Sequence, residues 1–228
     1  MGDWTPETVL ARLKASSASS ANLAGMARYG INTAHRIGAS VPTMRALGRE
    51  IGRDHALALA LWKTGVADAR IVAALIADPA RMTSRDMDAW ARDFDSWDVV
   101  DQVCANLFEK TPHARAKVLA WAERKEEFVK RAAFALIACI AWHDRKASDA
   151  EFIAWLEVIK AGATDERNYV RKAVNWALRH IGKRNRALNV AAIAAAQEIA
   201  KLDAKAARWI AADALRELRS EAIQKRLG

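Results

Sequence analysis

The chain has 228 residues, a net charge of +9, 52% hydrophobic residues, ten glycines, four prolines and nine tryptophans. So few breakers beside abundant alanine and leucine exclude a sheet-rich protein and favour an all-α chain long enough for one extended domain. No stretch approaches the roughly 18 uninterrupted apolar residues of a membrane span, and Met1-Gly2-Asp3-Trp4 lacks the basic and apolar regions of a signal peptide, so a soluble cytoplasmic protein is expected.

Residues 3 to 14 predict a first helix, capped by Asp3 or Thr5, with Pro6 in its first turn and Val9, Leu10 and Leu13 on one side. Ser16 to Ser20 with Asn22 reads as a turn, followed by a short helix from Leu23 to Tyr29 that stops at Gly30. A break from Gly38 to Pro42 precedes a helix from Thr43 to Ile51. Ten helices then follow in a regular rhythm: His55–Trp62, Ala67–Ala77, Thr83–Ala91, Trp97–Phe108, Pro112–Ala122, Glu126–Trp142, Asp149–Ala161, Glu166–Ile181, Ala187–Ala200 and Ala204–Arg219. Short links rich in Asp, Lys and Arg separate them, which predicts antiparallel helix pairs in sequence. Cys104 and Cys139 fall inside apolar helical patterns, as buried thiols of a reducing compartment would.

Some of these helices resemble one another. Phe128-Val129-Lys130-Arg131-Ala132-Ala133 is echoed about forty residues on by Tyr169-Val170-Arg171-Lys172-Ala173-Val174, and Arg208-Trp209-Ile210-Ala211 is a degenerate further copy. The period, and Asp165 before the Val-Arg-Lys-Ala run, resemble the second helix of a HEAT repeat. Units of this kind bury their apolar faces only by stacking, which predicts a right-handed superhelical α-solenoid with a concave basic groove. Residues 1–52 supply N-terminal helices, 53–200 the repeat core and 201–228 a capping helix.

A helix turns about 100° per residue, so each face can be read. Val170, Ala173, Val174, Ala177 and Ile181 form a core stripe, and Trp176 lies away from it among Lys172, Arg179 and Lys183. Either a neighbouring repeat covers this tryptophan, or it is a platform for a base or sugar with phosphates held around it. Arg131 occupies in one copy the position of Lys172 in the next, and Ala135 and Ala138 beside it are small enough to admit a bulky partner. That pair is an ordinary solvated face or the beginning of a ladder for a phosphate backbone. From Lys160 to Gly228 there are 15 Lys/Arg against 7 Asp/Glu, so most of the net charge lies in the last third, which favours a polyanionic partner.

The other unusual stretch is Ser96-Trp97-Asp98-Val99-Val100-Asp101. Trp97 and Asp101, four residues apart, stack on one side of a helix whose core stripe is Val99, Val100, Val103, Cys104 and Leu107. Asp98 is placed to serve the helix N-terminus. Asp101 sits at the apolar border, either as an early acid helped by the helix dipole or as the carboxylate of a site.

Asp95-Ser96-Trp97-Asp98-Val99-Val100-Asp101, Val129-Lys130-Arg131-Ala132-Ala133 and Lys172-Ala173-Val174-Asn175-Trp176-Ala177-Leu178-Arg179 together resemble the AlkD-type DNA alkylation repair proteins, HEAT-like-repeat DNA glycosylases of bacteria. The similarity runs from about Met26 to about Lys201; Ser96 stands where some members have another aromatic, and the sequence after Lys201 matches little. The resemblance implies removal of N3- and N7-alkylated purines from double-stranded DNA by a monomer, without metal or cofactor. It assigns Asp101, Trp97 and Trp176 to catalysis. Arg131, named in the family's active site, is expected with Lys172, Arg179 and Lys183 to hold DNA phosphates. The rivals are a solenoid that binds distorted duplex without catalysis, and a protein-interaction scaffold. Other chemistries lack their motifs: there is no Gly-rich phosphate loop, no His-x-Glu or Cys-x-x-Cys pattern for zinc and no Gly-x-Ser-x-Gly elbow.

Overall fold

The computed structural model describes residues 4–16 and 19–228; Asp3, offered above as a cap, and Ser17 and Ala18 of the predicted turn lie outside them. All regular structure among the described residues is helical, and none of these helices is long and apolar enough to cross a membrane. The chain forms two compact units, one ending at His113 and one spanning Ala114–Gly228.

The first unit holds α1 (Pro6–Ser16), α2 (Ser19–Arg28), α3 (Val41–Ile51), α4 (His55–Lys63), α5 (Ala67–Ile76), α6 (Ser84–Arg92) and α7 (Trp97–Asn106), which ends in a 3-10 turn at Phe108–Lys110. α2 starts four residues before the predicted Leu23, so Ser19 to Asn22 is helical rather than a turn. Helix α5 is the centre of this unit and packs on α3, α4 and α7. Its sequence is apolar apart from Asp68 and Arg70, and Ala69, Ile71, Val72, Ala73 and Ile76 are fully buried, as a helix enclosed by its neighbours requires. On one flank Trp62 stacks on Trp90 with ring centres 3.9 Å apart, and Arg70 covers Trp62 from beyond at 4.9 Å.

The second unit holds α8 (Ala114–Ala122), α9 (Glu127–His143), α10 (Asp149–Gly162), α11 (Asn168–Gly182), α12 (Arg186–Ile199), α13 (Lys205–Leu218) and α14 (Glu221–Arg226). Helix α14 was not among the predicted elements; Ser220 caps it by accepting a hydrogen bond from the Ile223 amide. α9, α11 and α13 pack side by side, with α8, α10 and α12 behind them. The repeat is written in the bonds between these helices. Arg131 Nη1 donates to the Tyr169 carbonyl and Asn175 Nδ2 to Asp213, each 38 residues apart, and Arg184 Nη1 donates to the Ala141 carbonyl 43 residues away.

Asp165, the acid expected from the repeat pattern, binds Lys130 at 3.0 Å and Arg167 at 2.6 Å, and Arg167 in turn donates to the Lys125 carbonyl. It thereby ties the start of α11 to α9. Close packing has its own marker at Gly162, where an added Cβ would lie 2.3 Å from the Phe134 ring; only a residue without a side chain lets α10 finish against α9.

Candidate nucleic-acid interface

The α7 pair rests on a chain of polar contacts that begins in α5. Asp68, fully buried at the second position of α5, accepts hydrogen bonds from the backbone amides of Ile37, Gly38 and Ala39 at 2.8, 3.1 and 2.7 Å. A buried carboxylate needs partners of this kind, and these three amides fix the segment between α2 and α3. That segment reaches the N-terminus of α7. Arg36 Nη2 binds Asp98 Oδ2 at 2.7 Å, with the Arg36 side chain 1% exposed. The Asn32 amide donates to Ser96 Oγ, and Ser96 Oγ donates to Asp98 Oδ1 at 2.6 Å. Trp97 Nε1 donates to the Tyr29 carbonyl at 3.1 Å, which sets the indole's orientation.

Trp97 and Asp101 are both half-buried, one turn apart on the same helix, above the stripe of Val99, Val100, Val103, Cys104 and Leu107, which is buried as predicted. Asp98 does lie in the first turn, but its carboxylate is engaged by Arg36 and Ser96 rather than by capping amides. The sequence reading missed Asp68 and Arg36. The available signal was an aspartate in Ala67–Ala77, a run whose other polar residue is Arg70, where an acid among so many apolar neighbours must have a buried job.

In the second unit the predicted stripe of Val170, Ala173, Val174, Ala177 and Ile181 is fully buried, and Trp176 is half-buried beside it. The cations around it differ in state. Lys172 is exposed. Arg131, its counterpart one repeat earlier, is only 5% exposed and donates to the Tyr169 carbonyl. Arg179 and Lys183 both bind Glu217, at 2.5 and 2.8 Å, and Arg179 also lies 3.8 Å from Asp213. Burial pushes the Glu217 carboxyl upward, but hydrogen bonds from Lys183 and Arg179 outweigh it and hold the group below its ordinary value. Ala135 and Ala138, expected to admit a bulky partner, are instead fully covered: every residue from Ala132 to Ala141 is buried, and small side chains here serve the approach of helices.

Trp176 meets the edge of His180 at 5.8 Å between ring centres, and His180 lies 5.0 Å from Trp142. Burial, aided by Lys183 and Arg179, lowers the His180 pKa to about 4, so this imidazole is neutral at pH 7. The second unit therefore brings together Trp176, His180, Trp142, Arg179 and Lys183, and the first brings together Trp97 and Asp101.

Comparison with known proteins agrees with this picture at the level of fold and family. A family model described as DNA alkylation repair enzyme matches residues 9–218. A solved structure described as belonging to a new family of proteins related to the HEAT-like repeat DNA glycosylases, with affinity for branched DNA structures, superposes with a TM-score of 0.82. It is 21% identical, and the match covers 99% of this chain and 97% of that one. The HEAT-like repeat fold, an all-helical solenoid class, is thereby shown. No curated protein matches the chain significantly.

Proposed function

We propose, from the premise that this chain belongs to the DNA alkylation repair enzyme family, that it is a DNA glycosylase for N3- and N7-alkylated purines in duplex DNA. The observation that carries this reading is the Trp97–Asp101 pair: an indole and a carboxylate one turn apart, both half-buried, on a helix whose N-terminus is held by Arg36 and Asn32. An alkylated purine of this kind carries positive charge and is already a good leaving group. The remaining demand is to stabilise the cationic, oxocarbenium-like deoxyribose as the glycosidic bond breaks and to position water at C1′. Glycosidases meet the same demand with carboxylates.

In this scheme Asp101 supplies the negative charge and orients the water, and partial burial strengthens its field at the sugar. The indole face of Trp97 holds the deoxyribose beside Asp101, and Trp176 of the second unit offers DNA a further aromatic face. Lys172 contacts phosphate from the surface; Arg179 and Lys183 exchange Glu217 for phosphate, and Arg131 adds charge from within α9. The lesion's own charge does much of the discrimination, and the scheme requires no metal or cofactor. The protein acts as a monomer in the cytoplasm.

The test is release of 7-methylguanine from duplex DNA by the wild type and by Asp101→Asn. The substitution keeps shape and removes charge, and the release rate is expected to fall by about 100-fold or more. Equal rates would remove Asp101 from the mechanism. A second reading is a DNA-binding protein that recognises distorted duplex without catalysis. The likeness to a protein with affinity for branched DNA favours it. It becomes the better account if the wild type binds duplex but releases no cationic purine adduct.

A further inference from the structure

At the C-terminal ends of α9 and α11 a cavity of about 400 Å³ opens, lined chiefly by Trp142, Arg145, His180, Lys183, Arg184 and Arg226. Its lining contains four cations and no acid. Two of the cations are engaged in holding the wall: Arg184 donates to the carbonyls of Ala141 and Ala147 and lies over the Phe152 ring, and Lys183 is tied to Glu217. Arg226 donates one Nη to the Lys183 carbonyl, which anchors the end of α14 to the rim. Arg145 also lines the cavity and is exposed. Trp142 is 56% exposed although it lies in the last turn of the most thoroughly buried helix of the unit, and its ring is backed by His180 at 5.0 Å and His143 at 5.8 Å.

An exposed indole supported by imidazoles, in a cavity whose lining carries four cations, suits a planar aromatic ring that carries an anionic group. The volume is of the size that takes one small ligand. A solvated face would place charge here without the aromatic platform, and a protein-docking patch would be apolar without four cations.

We propose that this cavity binds a single unstacked nucleotide of a DNA strand, its base on Trp142 and its 5′-phosphate between Arg145 and Arg226. The proposal rests on reading the chain as a DNA-binding protein and extends that reading to a cavity that adjoins Trp176 through His180 and shares Lys183 with the proposed phosphate contacts. His180 reports on it. The groups facing this imidazole are Lys183, Arg179 and His143, which disfavour its protonation, and Glu217, which favours it. A bound phosphate adds negative charge and raises the His180 pKa from its value of about 4.

The probe is the single-stranded pentanucleotide of thymidylate, titrated into the full chain at low salt and followed by His ring resonances and by anisotropy. Saturable binding that shifts His180 and raises its pKa is expected, weakened about tenfold by Trp142→Ala and by the double change Arg145→Glu with Arg226→Glu. Both sets of residues are solvent-facing or peripheral, and an unchanged thermal midpoint verifies folding. Binding of a blunt undamaged duplex and release of 7-methylguanine from alkylated duplex stay within about twofold in these variants. The proposal is overturned if the oligonucleotide leaves His180 unmoved. It is equally overturned if Trp142→Ala binds as well as the wild type while the charge reversals abolish binding, which would make this a plain anion site. Absence of purine release by the wild type with pentanucleotide binding intact refutes the glycosylase reading alone.

Discussion

α7 and α11 each carry a half-buried tryptophan at the edge of an apolar stripe, yet the two helices treat charge in opposite ways. The carboxylate of Asp98 at the start of α7 is satisfied by a cation from a distant loop, Arg36, and Asp101 stands one turn later beside the indole. On α11 the cations flanking Trp176 are satisfied by acids of α13, and Lys172 is the one that stays exposed. In each region the structural pairs sit next to the residue with a functional assignment. The difference teaches that charge counted along a sequence overstates what is available to a ligand: three of the four cations assigned to DNA already serve the repeat-to-repeat contacts.

The sharpest way to break the comparison is to remove the anchor of α7. Arg36→Ala leaves Asp98, whose side chain is 15% exposed, without its cationic partner. Breaking a buried pair from one side costs about 3–5 kcal/mol. Chemical denaturation is expected to show a loss of that order, together with a fall in purine release that persists at temperatures where the variant is still folded, since Trp97 and Asp101 lose their fixed base. An unchanged denaturation midpoint would mean that the loop is not what holds this helix.

A smaller effect separates the two cations that the repeat register makes equivalent. Lys172→Met is expected to leave stability within about 0.5 kcal/mol, as exposed positions do, and to lower the slope of log affinity against log salt on duplex DNA by about one. Arg131→Met deletes a donor to the part-buried Tyr169 carbonyl and is expected to cost about 1 kcal/mol. Its effect on the salt slope is smaller than that of Lys172→Met. A reversed pattern, with Arg131 setting the slope, would show that the buried guanidinium turns outward to DNA.

Helix number and register were largely legible in the sequence, because apolar spacing of 3.6 fixes them: ten helices from His55 onward appear within a few residues of their expected ends, and the core stripes of α7 and α11 are as read. The start of α2 was misplaced because serines favour caps and turns locally, whereas here Ser19 and Ser20 open the helix. The site was legible only in part. Trp97 and Asp101 share a helix, so spacing alone joins them. Whether Arg131 is wet depends on the whole of α9 being enclosed, and whether Arg179 is paired depends on Glu217, 38 residues away; neither is local information. The role of Asp68 needed the positions of three amides in another segment.

The smallest expected effect at neutral pH, and the one most specific to the repeat architecture, concerns Asp165. Burial alone would raise its pKa, but hydrogen bonds from Arg167 and Lys130 outweigh that and bring the carboxyl to about 2, below its ordinary 3.8. A carboxyl depressed in the folded state contributes stability that is fully present above its unfolded pKa and is lost as pH falls through the folded value. Asp165→Asn therefore lowers the urea midpoint at pH 7, and the gap from the wild type narrows steadily between about pH 4 and pH 2. Glu126 supplies the control. Its carboxyl is also held near 2, chiefly by a hydrogen bond from Arg124 two residues before it, but the pair is solvent-exposed and joins no two helices. Glu126→Gln is expected to leave the midpoint unchanged across the same range. If both substitutions behave alike, the tie between α9 and the start of α11 contributes nothing beyond a surface ion pair, and the repeat-to-repeat contacts seen on this side of the second unit are packing without electrostatic support.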